Sequence, residues 1–360
     1  MNRKIVVLSP FDPLNVGGVE RVVREFSIRL VKHYDVEVIG GGRERKYYEY
    51  RGVPVNVLPS WTASYSYMPE ARRLVRQLQP DLLYSHGFTQ YAGYVSALAK
   101  KDNPRTKLIF HSHFHPSGST LVFSLMRKMY DPLIGSMILN KADAVVTNSN
   151  SEAEAVRKSF HPLTPIHVVT NGVDIAALTE AKAKEIGENS HVLLFVGRME
   201  PYKHPEILLE LMRYVPEDFI LVYAGTGSLM GALSARARRL GLNERVKFLG
   251  HISDWELYQW YKTASCLVHL SESESFGMTC IEALAAGTPC VANYDGFGLT
   301  ETISLFPGQI LGCDIKSTSL SDLAELVVRA TSLKPVKVDL TNYSWDQLTS
   351  KLEAVFASVL

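Results

Sequence analysis

The sequence predicts an α/β protein made of two doubly wound parallel-sheet domains, and three observations carry that prediction. Short β-branched runs alternate with longer segments of helical periodicity almost from end to end, which is typical of βαβ units. The length of 360 residues corresponds to about two domains at roughly 150 residues each. The alternation pauses once, at Ile175–Asn189, a segment rich in Ala, Lys and Glu without strand character.

We therefore place the domain boundary near residues 175–190. Residues 1–175 are predicted to form the first Rossmann-like domain and residues 176–342 the second. Residues 343–360 are predicted to form a last helix, with Ser344 as its N-cap, that packs back towards the first domain.

The individual elements follow from local patterns. The first helix is predicted over Val19–Tyr34, because Val22, Phe26 and Leu30 fall on one face. Strands of the first domain are predicted at Lys4–Ser9, Val36–Gly40, Val53–Leu58, Asp81–Ser85, Lys107–His111, Ala144–Asn148 and Ile166–Thr170. Strands of the second are predicted at Val192–Val196, Phe219–Ala224, Val246–Leu249, Cys266–His269, Cys290–Asn293 and Gln309–Leu311. Ligands of such sheets bind beyond the carboxyl ends of the strands, so two facing domains are expected to hold the main site in the cleft between them.

The composition excludes several other classes. With 46% hydrophobic and 21% charged residues, the chain is an ordinary globular protein and is neither disordered nor fibrous. Its four cysteines include no Cys-x-x-Cys pair, so we expect small core residues in a reducing compartment. No apolar stretch approaches the roughly 20 residues that span a bilayer, and Met1–Lys4 lead directly into a strand without a signal sequence. A cytoplasmic protein is expected.

The net charge of +1 conceals an asymmetry between the halves. Residues 1–175 carry 22 Lys and Arg against 15 Asp and Glu, a formal +7, and residues 176–360 carry 16 against 22, a formal −6. The basic residues of the first half cluster at 43–51, 72–76 and 100–107. They are either solvated surface charges or a face that meets phosphate-bearing lipid or anionic membrane headgroups. No nucleic acid partner is expected.

The first domain has two candidate ligand loops. Gly17 and Gly18 stand between the first strand and a helix that continues with Glu20 and Arg21, so backbone N–H groups there are either a phosphate contact or a structural turn. His111, His113 and His115 follow the strand at 107–111. A metal is one interpretation of these alternate histidines, but no carboxylate or cysteine set completes a site, so a substrate-facing loop is favoured.

The second domain carries the strongest motif. Gly197, Arg198 and Lys203 follow a strand in an order that suits clamping of a diphosphate, and Gly225 and Gly227 repeat the strand-then-glycine arrangement. Glu274 and Glu282 stand eight residues apart around the start of an apolar helix predicted over Met278–Ala286. A carboxylate in so apolar a helix needs a donor, so Glu282 is expected to bind either a ligand hydroxyl or a nearby protein group.

In this combination and order, the motifs resemble the retaining nucleotide-sugar glycosyltransferases of family four, which have the GT-B fold. The resemblance includes Asn171-Gly172-Val173-Asp174 and spans residue 4 to about residue 300. It implies that a sugar moves from a nucleotide diphosphate sugar to a glycan, polyprenyl-phosphate-linked or lipid acceptor with retention of anomeric configuration. The donor is a substrate and no cofactor is implied. Because the chain contains no Asp-x-Asp motif, no essential metal is expected.

The resemblance also implies roles for single residues. Arg198 and Lys203 would hold the diphosphate, Glu274 would bind hydroxyls of the transferred sugar, and Glu282 would bind the ribose. Residues that would complete the donor site are Gly17, Gly18, Gly197, Gly225, Gly227, Phe276, Gly277, Met278 and Thr279. The active-site histidine of the family matches His113 best, with His111 as the alternative, and Glu20, Arg21, His111 and His115 would lie on the acceptor side.

Two positions depart from the family pattern. His204 follows Lys203 where the family has glycine, and the usual Gly-Gly-x-x-Glu is replaced by Asp295-Gly296-Phe297-Gly298-Leu299-Thr300-Glu301. Gly296 and Gly298 could still present N–H groups to phosphate, with a spacing that differs from the family pattern.

Three alternatives stay open. Another GT-B enzyme, such as a nucleotide-sugar epimerase or phosphorylase, would share this site, as would a non-catalytic sugar-binding protein. Separately, Ser119–Asn140 combines apolar residues with Arg127 and Lys128. This segment is either an ordinary packed helix or one that lies on a membrane or lines a lipid-acceptor channel.

Overall fold

The structure, a computed structural model, describes residues 2–61, 66–115, 130–187, 190–333 and 338–360. The chain divides into two compact units. The first unit consists of Met1–Gly172 together with Trp345–Leu360, and the second of Val173–Ser344. No helix within the described ranges has the length and apolar character needed to cross a membrane.

An eight-stranded sheet organises the first unit. Its strands are β1 (Lys4–Leu8), β2 (Asp35–Gly42), β3 (Lys46–Tyr50), β4 (Val53–Pro59), β5 (Leu82–His86), β6 (Lys107–His111), β7 (Ala144–Thr147) and β8 (Ile166–Val168). Their order is β3-β4-β2-β1-β5-β6-β7-β8, with every pair parallel except β3 and β4. The helices described in this unit are α1 (Gly18–Leu30), α2 (Ala71–Leu78), α3 (Tyr91–Asp102), α4 (Ser136–Lys141) and α5 (Asn150–Phe160), with the C-terminal helix described below.

Both faces of this sheet are covered, which explains why its strands are nearly continuous apolar runs. Alternate residues of a strand point to opposite faces, so Val7 packs in one buried cluster and Val6 in the other. The C-terminal helix (Trp345–Val359) covers the same face as α1. Trp345 is 3% exposed and meets Phe26 of α1 edge to face, with ring centroids 5.4 Å apart.

A six-stranded, fully parallel sheet organises the second unit. Its strands are β9 (His191–Val196), β10 (Phe219–Ala224), β11 (Val246–Gly250), β12 (Cys266–His269), β13 (Cys290–Asn293) and β14 (Ile310–Cys313). Their order is β11-β10-β9-β12-β13-β14. The α-helices described here are α6 (Ile175–Glu180), α7 (Pro205–Leu211), α8 (Met230–Arg239), α9 (Asp254–Thr263), α10 (Met278–Ala286), α11 (Gly298–Leu305) and α12 (Leu320–Thr331), and the C-terminal helix is α13.

Strand β3 is the element that the sequence prediction missed. Its residues Lys46–Tyr50 lie inside the basic cluster 43–51, which hid the strand, and Tyr48 pairs with Val55 of β4. Arg51 and Gly52 connect the two strands, both with positive φ (49° and 81°), the conformation of a tight hairpin turn. An edge strand with one exposed face has no continuous apolar run, so its pattern is weak.

The first helix is shorter than predicted, because it ends at Leu30 and is followed by a turn. All four cysteines are buried and unpaired, as expected of small core residues. Burial raises the pKa of the Cys313 thiol to about 12.

Candidate active site

The carboxylate of Glu274 stands at the centre of the second unit's candidate site. It lies in the loop between β12 and α10, where strand-end residues and a helix N-terminus meet. Lys203 Nζ lies 2.5 Å from Glu274 Oε1, and His269 Nε2, at the end of β12, lies 3.2 Å from the same oxygen. One carboxylate oxygen therefore contacts both a lysine and a histidine, an arrangement that needs the loops after β9 and β12 to lie side by side.

Lys203 and Glu274 each stabilise the charged form of the other. Burial would raise the pKa of Glu274, but the Lys203 ammonium and His269 hold it well below its usual range. Burial would lower the pKa of Lys203, but the Glu274 carboxylate outweighs that effect and raises it. Both groups are thus ionised around neutral pH, and neither acts as a general acid or a general base there.

Asp295 holds the backbone of Glu274. The Glu274 N–H donates to Asp295 Oδ2 at 2.9 Å, while the N–H groups of Phe297 and Thr300 donate to Asp295 Oδ1 at 2.8 and 3.0 Å. The side chain therefore caps α11 and ties that helix to the Glu274 loop. Asp295, which is part of the segment 295–301 that departs from the family pattern, therefore has a structural role in this unit.

The glycines of that departure do not act as predicted. The Gly296 N–H donates to Thr300 Oγ1 at 2.8 Å, and the Gly298 N–H donates to the Glu274 carbonyl at 3.1 Å. Both N–H groups are used within the unit, so the prediction that they present themselves to phosphate is wrong for this structure. A Cβ at Gly298 would lie 2.1 Å from the Ser275 carbonyl oxygen, which explains the glycine by close packing.

The loop after β9 presents one exposed and one enclosed cation. Arg198 is exposed, and its guanidinium donates to Tyr202 Oη at 2.9 Å. Lys203 is mostly enclosed, and its ammonium lies 5.4 Å from the Tyr202 ring centroid. The Tyr202 side chain thus contacts both cations, through its hydroxyl and its ring, and no sequence motif indicated these contacts.

Two glycine loops pack backbone against backbone beside these cations. Gly225 has φ 136°, and a Cβ there would lie 2.1 Å from the Gly197 carbonyl oxygen. A Cβ at Gly227 would lie 2.5 Å from the backbone of Met199. Side chains at these positions would push the loops apart, so both glycines fix the conformation of the loop that carries Arg198.

His204 occupies a left-handed conformation (φ 50°, ψ 46°), which accounts for glycine being usual here in the family. Two contacts of the ring offset the cost of this backbone conformation. Nδ1 lies 3.0 Å from Glu206 Oε1, and Nε2 lies 3.0 Å from Glu272 Oε1. The departure thus keeps the turn and adds two side-chain contacts.

Helix α10 begins beside Glu274 without a side-chain cap. Its N-cap is Gly277, with φ 73°, and the first N–H groups of any helix, here those of Met278 and Thr279, have no acceptor within it. The role that the resemblance implies for Phe276 concerns its backbone N–H, while its side chain is 2% exposed and stacks on Tyr343, with ring centroids 5.7 Å apart. Its ring belongs to the core, while Thr279 Oγ1 lies 3.3 Å from His269 Nδ1.

Glu282 is buried in α10 and has a protein donor. Tyr261 Oη donates to Glu282 Oε2 at 2.8 Å. Of the two kinds of partner expected from the sequence, the structure therefore places a protein group on this oxygen.

In the first unit, Gly17 and Gly18 are exposed at the start of α1, and the Glu20 carboxylate lies beside Gly17, where its Oε2 would be 2.1 Å from a Cβ. Glu20 and Arg21 follow in its first turn and are half-buried. The structure thus leaves the turn and the phosphate-contact interpretations of this loop both standing.

The histidine loop lies at the carboxyl ends of β5, β6 and β7. His111 ends β6 and is buried, with Nδ1 2.7 Å from Tyr84 Oη and Nε2 3.0 Å from Asn148 Oδ1. His113 has Nδ1 3.1 Å from Asn148 Nδ2 and Nε2 3.0 Å from Nδ1 of His86. His86, which ends the neighbouring strand β5, is a member of this cluster that the sequence analysis missed. His115 is half-buried and has bonding partners of its own.

His86, His111 and His113 are close enough together to be considered as metal ligands. Their ring nitrogens lie within 4.8 Å of one another. However, the rings of His111 and His113 stack at 4.1 Å and 12°, and those of His86 and His113 at 5.3 Å and 23°. Lone pairs in the planes of stacked rings run side by side and do not converge on one ion, so this arrangement is not a tetrahedral metal site.

Burial keeps these histidines neutral. It lowers the pKa of His111 to about 3 and holds those of His86 and His113 well below the usual value. His113 also has a positive φ of 47°, an uncommon conformation for a residue with a side chain, which costs on the order of 1 kcal/mol or more. The cluster is thus neutral, stacked and locally strained.

Two predicted segments fall wholly or partly outside the described residues. The loop at 110–116 is described to His115, and of the segment Ser119–Asn140 the described part begins at residue 130. Helix α4 belongs to that part, and Ile138 and Leu139 are buried in the sheet core.

Two family models match the chain. Residues 16–177 match the one described as glycosyltransferase family 4, and residues 178–344 match the one described as glycosyl transferases group 1. The chain belongs to glycosyltransferase family four.

The chain spans less than two thirds of the length of the curated relatives that it matches. A D-inositol 3-phosphate glycosyltransferase from Mycobacterium sp. strain JLS is 38% identical over 167 residues, covering 43% of this chain and 38% of that protein. One from Jonesia denitrificans is 26% identical over 246 residues, covering 61% of this chain and 58% of that protein.

Solved structures resemble this family-four chain along its whole length. Sucrose-phosphate synthase from Thermosynechococcus elongatus has a TM-score of 0.82 at 16% identity, covering 99% of this chain and 98% of that one. The Anabaena protein HepE in complex with UDP and glucose has a TM-score of 0.78 at 20% identity, covering 99% of this chain and 100% of that one. These likenesses, with the two parallel sheets, confirm the predicted GT-B fold class.

Several site residues of this family-four chain escaped the sequence analysis. His86 had a signal, since it ends a strand before glycine just as His111 ends the next strand. His269 ends β12 and Asp295 was named only as part of the departure at 295–301, so neither residue was assigned a role. Asn148 and Glu152 resembled an ordinary helix start, because Ser149-x-x-Glu152 has the pattern of a capping box.

Proposed function

We propose that the protein transfers a sugar from a nucleotide diphosphate sugar to a glycan, polyprenyl-phosphate-linked or lipid acceptor. The observation that carries the proposal is the Lys203–Glu274 pair beside the uncapped start of α10. It joins a cation for phosphate, a carboxylate for sugar hydroxyls and a helix N-terminus for anions within one loop cluster.

The electrostatic part of the reaction belongs to Arg198 and Lys203. Cleavage of the sugar–phosphate bond leaves negative charge on the diphosphate, and preorganised cations stabilise that charge as it develops. Each well-placed donor contributes typically about 3 kcal/mol, so two of them acting independently set a ceiling of about four decades in rate. Close backbone packing between Gly197 and Gly225 fixes the loop that carries these two cations.

The two glutamates hold hydroxyl groups in this proposal. Glu274, ionised and fixed by Lys203, accepts from hydroxyls of the transferred sugar. Glu282 binds the ribose, with Tyr261 orienting one of its oxygens. Relatives named D-inositol 3-phosphate glycosyltransferase and a structural neighbour solved with UDP-glucose support a hexose donor of this type.

We further propose retention of anomeric configuration without an essential metal. Retention is the property of the family that the sequence resembles. The two cations at Arg198 and Lys203 supply the charge that a divalent ion would otherwise supply to a leaving diphosphate. The acceptor is assigned to the basic first unit, whose +7 charge suits a phosphate-bearing lipid.

A donor panel tests the transfer. The full chain is incubated with UDP-glucose, UDP-galactose, UDP-N-acetylglucosamine or GDP-mannose, with and without membrane lipid extract, and products are identified by mass spectrometry. We expect one donor to give a glycosylated lipid or glycan, with retention by NMR and undiminished turnover in EDTA. Glu274→Gln should lose at least about a hundredfold in kcat, whereas Glu217→Gln, an exposed control, should not change it.

Other outcomes would contradict the proposal. Epimerisation of a donor without acceptor would favour a nucleotide-sugar epimerase, and release of a sugar phosphate with inorganic phosphate would favour a phosphorylase. Binding of a donor with no product in any extract would favour a non-catalytic sugar-binding protein.

Liposome flotation tests the proposed membrane partner. Vesicles of phosphatidylcholine with phosphatidylglycerol are expected to carry the chain at low salt and to release it at high salt, because surface charge is screened. Equal flotation with pure phosphatidylcholine, or no flotation, would count against an anionic membrane partner.

A further inference from the structure

The carboxylate of Glu152 binds both chain neighbours of His113, one through its side chain and the other through its backbone. Its Oε1 accepts from the Ser112 hydroxyl and from the Phe114 N–H at 2.8 Å. These are the residues directly before and after His113, whose φ is positive. Glu152 is 0% exposed, so a buried carboxyl group fixes this one turn.

The second oxygen of Glu152 sets the orientation of the Asn148 amide. Oε2 accepts from the Asn148 backbone N–H at 3.0 Å and from its side-chain Nδ2 at 2.9 Å. A carboxylate can only accept, so the nitrogen of the amide must face Glu152. The amide oxygen therefore faces His111, and the assignment follows from the network.

The oriented amide determines which nitrogen of each histidine carries the proton. Asn148 Oδ1 accepts, so His111 must donate from Nε2. Asn148 Nδ2 donates, so Nδ1 of His113 must be unprotonated, and a neutral His113 carries its proton on Nε2. That proton points at Nδ1 of His86, which must accept it, so His86 also carries its own proton on Nε2.

The chain of bonds ends on a buried donor. Nε2 of His86 is buried and has no hydrogen-bond partner within the part of the chain that the structure describes. Such a group is costly in an apolar surrounding and is uncommon without a purpose.

We infer that Glu152 and Asn148 are positioning residues that hold His113 in one backbone conformation and hold His113 and His86 as Nε2–H tautomers. Nothing in this network needs a metal, and stacked, mutually bonded rings leave no common ligand point. The consequence for catalysis rests on the proposed function, whereas the tautomers do not.

The substitution Asn148→Asp tests the polarity of the network. An oxygen replaces Nδ2, and whichever carboxylate holds the proton between that oxygen and Glu152 Oε2, the oxygen faces His113 Nδ1 with a lone pair, so His113 then meets an acceptor there. His113 and, through it, His86 should change to Nδ1–H tautomers, while His111 still faces an oxygen and should stay Nε2–H. Glu154→Gln, an exposed position of the same helix, is the control and should change none of them.

The measurement is long-range ¹H–¹⁵N NMR of the histidine-labelled full chain, with signals assigned through single His→Gln variants. Wild-type His113 and His86 protonated at Nε2 support the inference, and the tautomers are read from the wild-type chain, with the variants used only for assignment. Protonation of wild-type His113 at Nδ1, or an unchanged His113 in Asn148→Asp, would overturn it. Added Co²⁺ should leave the three signals in place, and their joint paramagnetic loss would also overturn it.

Transfer kinetics give the second readout. In Asn148→Asp we expect kcat to fall about ten- to hundredfold while the donor KM changes less than about twofold, because Arg198, Lys203 and Glu274 of the proposed donor site lie in the other unit. An unchanged kcat with switched tautomers would refute the catalytic consequence alone. A wild-type chain without transfer would refute the proposed function and leave the tautomers standing.

Discussion

Lys203 Nζ and Glu274 Oε1 lie 2.5 Å apart although 71 residues separate them in the chain. Their side chains are 12% and 21% exposed, and they belong to loops after β9 and β12, which are neighbours in the sheet. Adjacency of those two strands brings the cation and the carboxylate together. The pair is thus both a piece of the proposed donor site and a link between two loops.

Removal of one partner should destabilise the fold. In Lys203→Met the Glu274 carboxylate loses its counter-charge, and we expect a loss of about 2–4 kcal/mol, because an enclosed charge without a partner is costly. The double variant Lys203→Met/Glu274→Met should recover at least half of that loss, while transfer stays abolished in both. Urea unfolding measures the stabilities, with Lys247→Met as an exposed control. A double variant less stable than either single variant would contradict this account.

The contribution of the pair should be constant around neutral pH. The pKa of Glu274 is lowered, so its stabilisation is present above the unfolded value of about 4.3 and is lost as pH falls through the lower folded value. The pKa of Lys203 is raised, so its stabilisation is present below about 10.4 and is lost only above that value. The stability difference between wild type and the double variant should stay flat from pH 5.5 to about pH 9 and change at the extremes. A slope across pH 6–8 would show that another group dominates.

The buried histidines should make the protein less stable in mild acid. The pKa of His111 is about 3 in the fold and about 6.5 when unfolded, so below pH 6.5 the unfolded state binds the extra proton. Stability should therefore fall by about 1.4 kcal/mol per pH unit for this residue alone between pH 6 and pH 4. His111→Gln should reduce the measured slope by about one proton, and His251→Gln, an exposed control, should not. Equal slopes in all three proteins would refute the assignment.

Gly225 and Gly231 offer a matched pair of glycines. Alanine at Gly225 would place a Cβ 2.1 Å from the Gly197 carbonyl oxygen at a φ of 136°, so we expect a loss of more than about 2 kcal/mol and weaker UDP binding. Alanine at Gly231, inside α8 with open space around its Cβ, should stabilise by about 0.5–1 kcal/mol. Thermal unfolding and calorimetric UDP titration separate the two. Similar effects at both positions would show that loop packing is not what Gly225 provides.

The last helix should be needed for the stability of the first unit. Trp345→Ala removes a ring that is 3% exposed and contacts Phe26, and we expect a loss of about 3–5 kcal/mol. Trp255, which is 48% exposed, should lose less than about 1 kcal/mol on the same change. Urea unfolding checks both, and a Trp345→Ala loss as small as the control would show that the helix docks by other contacts.

The sequence predicted local structure well wherever an apolar pattern was strong. Helix α10 has the predicted bounds Met278–Ala286, and thirteen of the described strands match predicted ones to within a few residues. Strand β3 escaped because its exposed face breaks the apolar pattern. The ends of α1 and of several strands differ because tertiary contacts decide where an element stops.

Contacts between elements could not be predicted to the same degree. Glu282 was expected to need a donor, yet nothing in the spacing of Tyr261 identified it as that donor. Gly296 and Gly298 were assigned N–H groups for phosphate, and the structure uses both within the unit. Side-chain partners far apart in sequence depend on loop geometry, which a linear pattern does not contain.

The sequence by itself determined the two parallel-sheet domains and the family, because periodicity, strand-end glycines and the spaced glutamates are local properties of the chain. Only the tertiary structure decided that the His86 ring contacts the His113 ring and that the Glu152 side chain accepts from the loop around His113. The same is true of the bond from the Glu274 N–H to Asp295. The physical reason is that hydrogen bonds between strand ends depend on sheet order and register. Those are set by packing of the whole unit and cannot be found in any single motif.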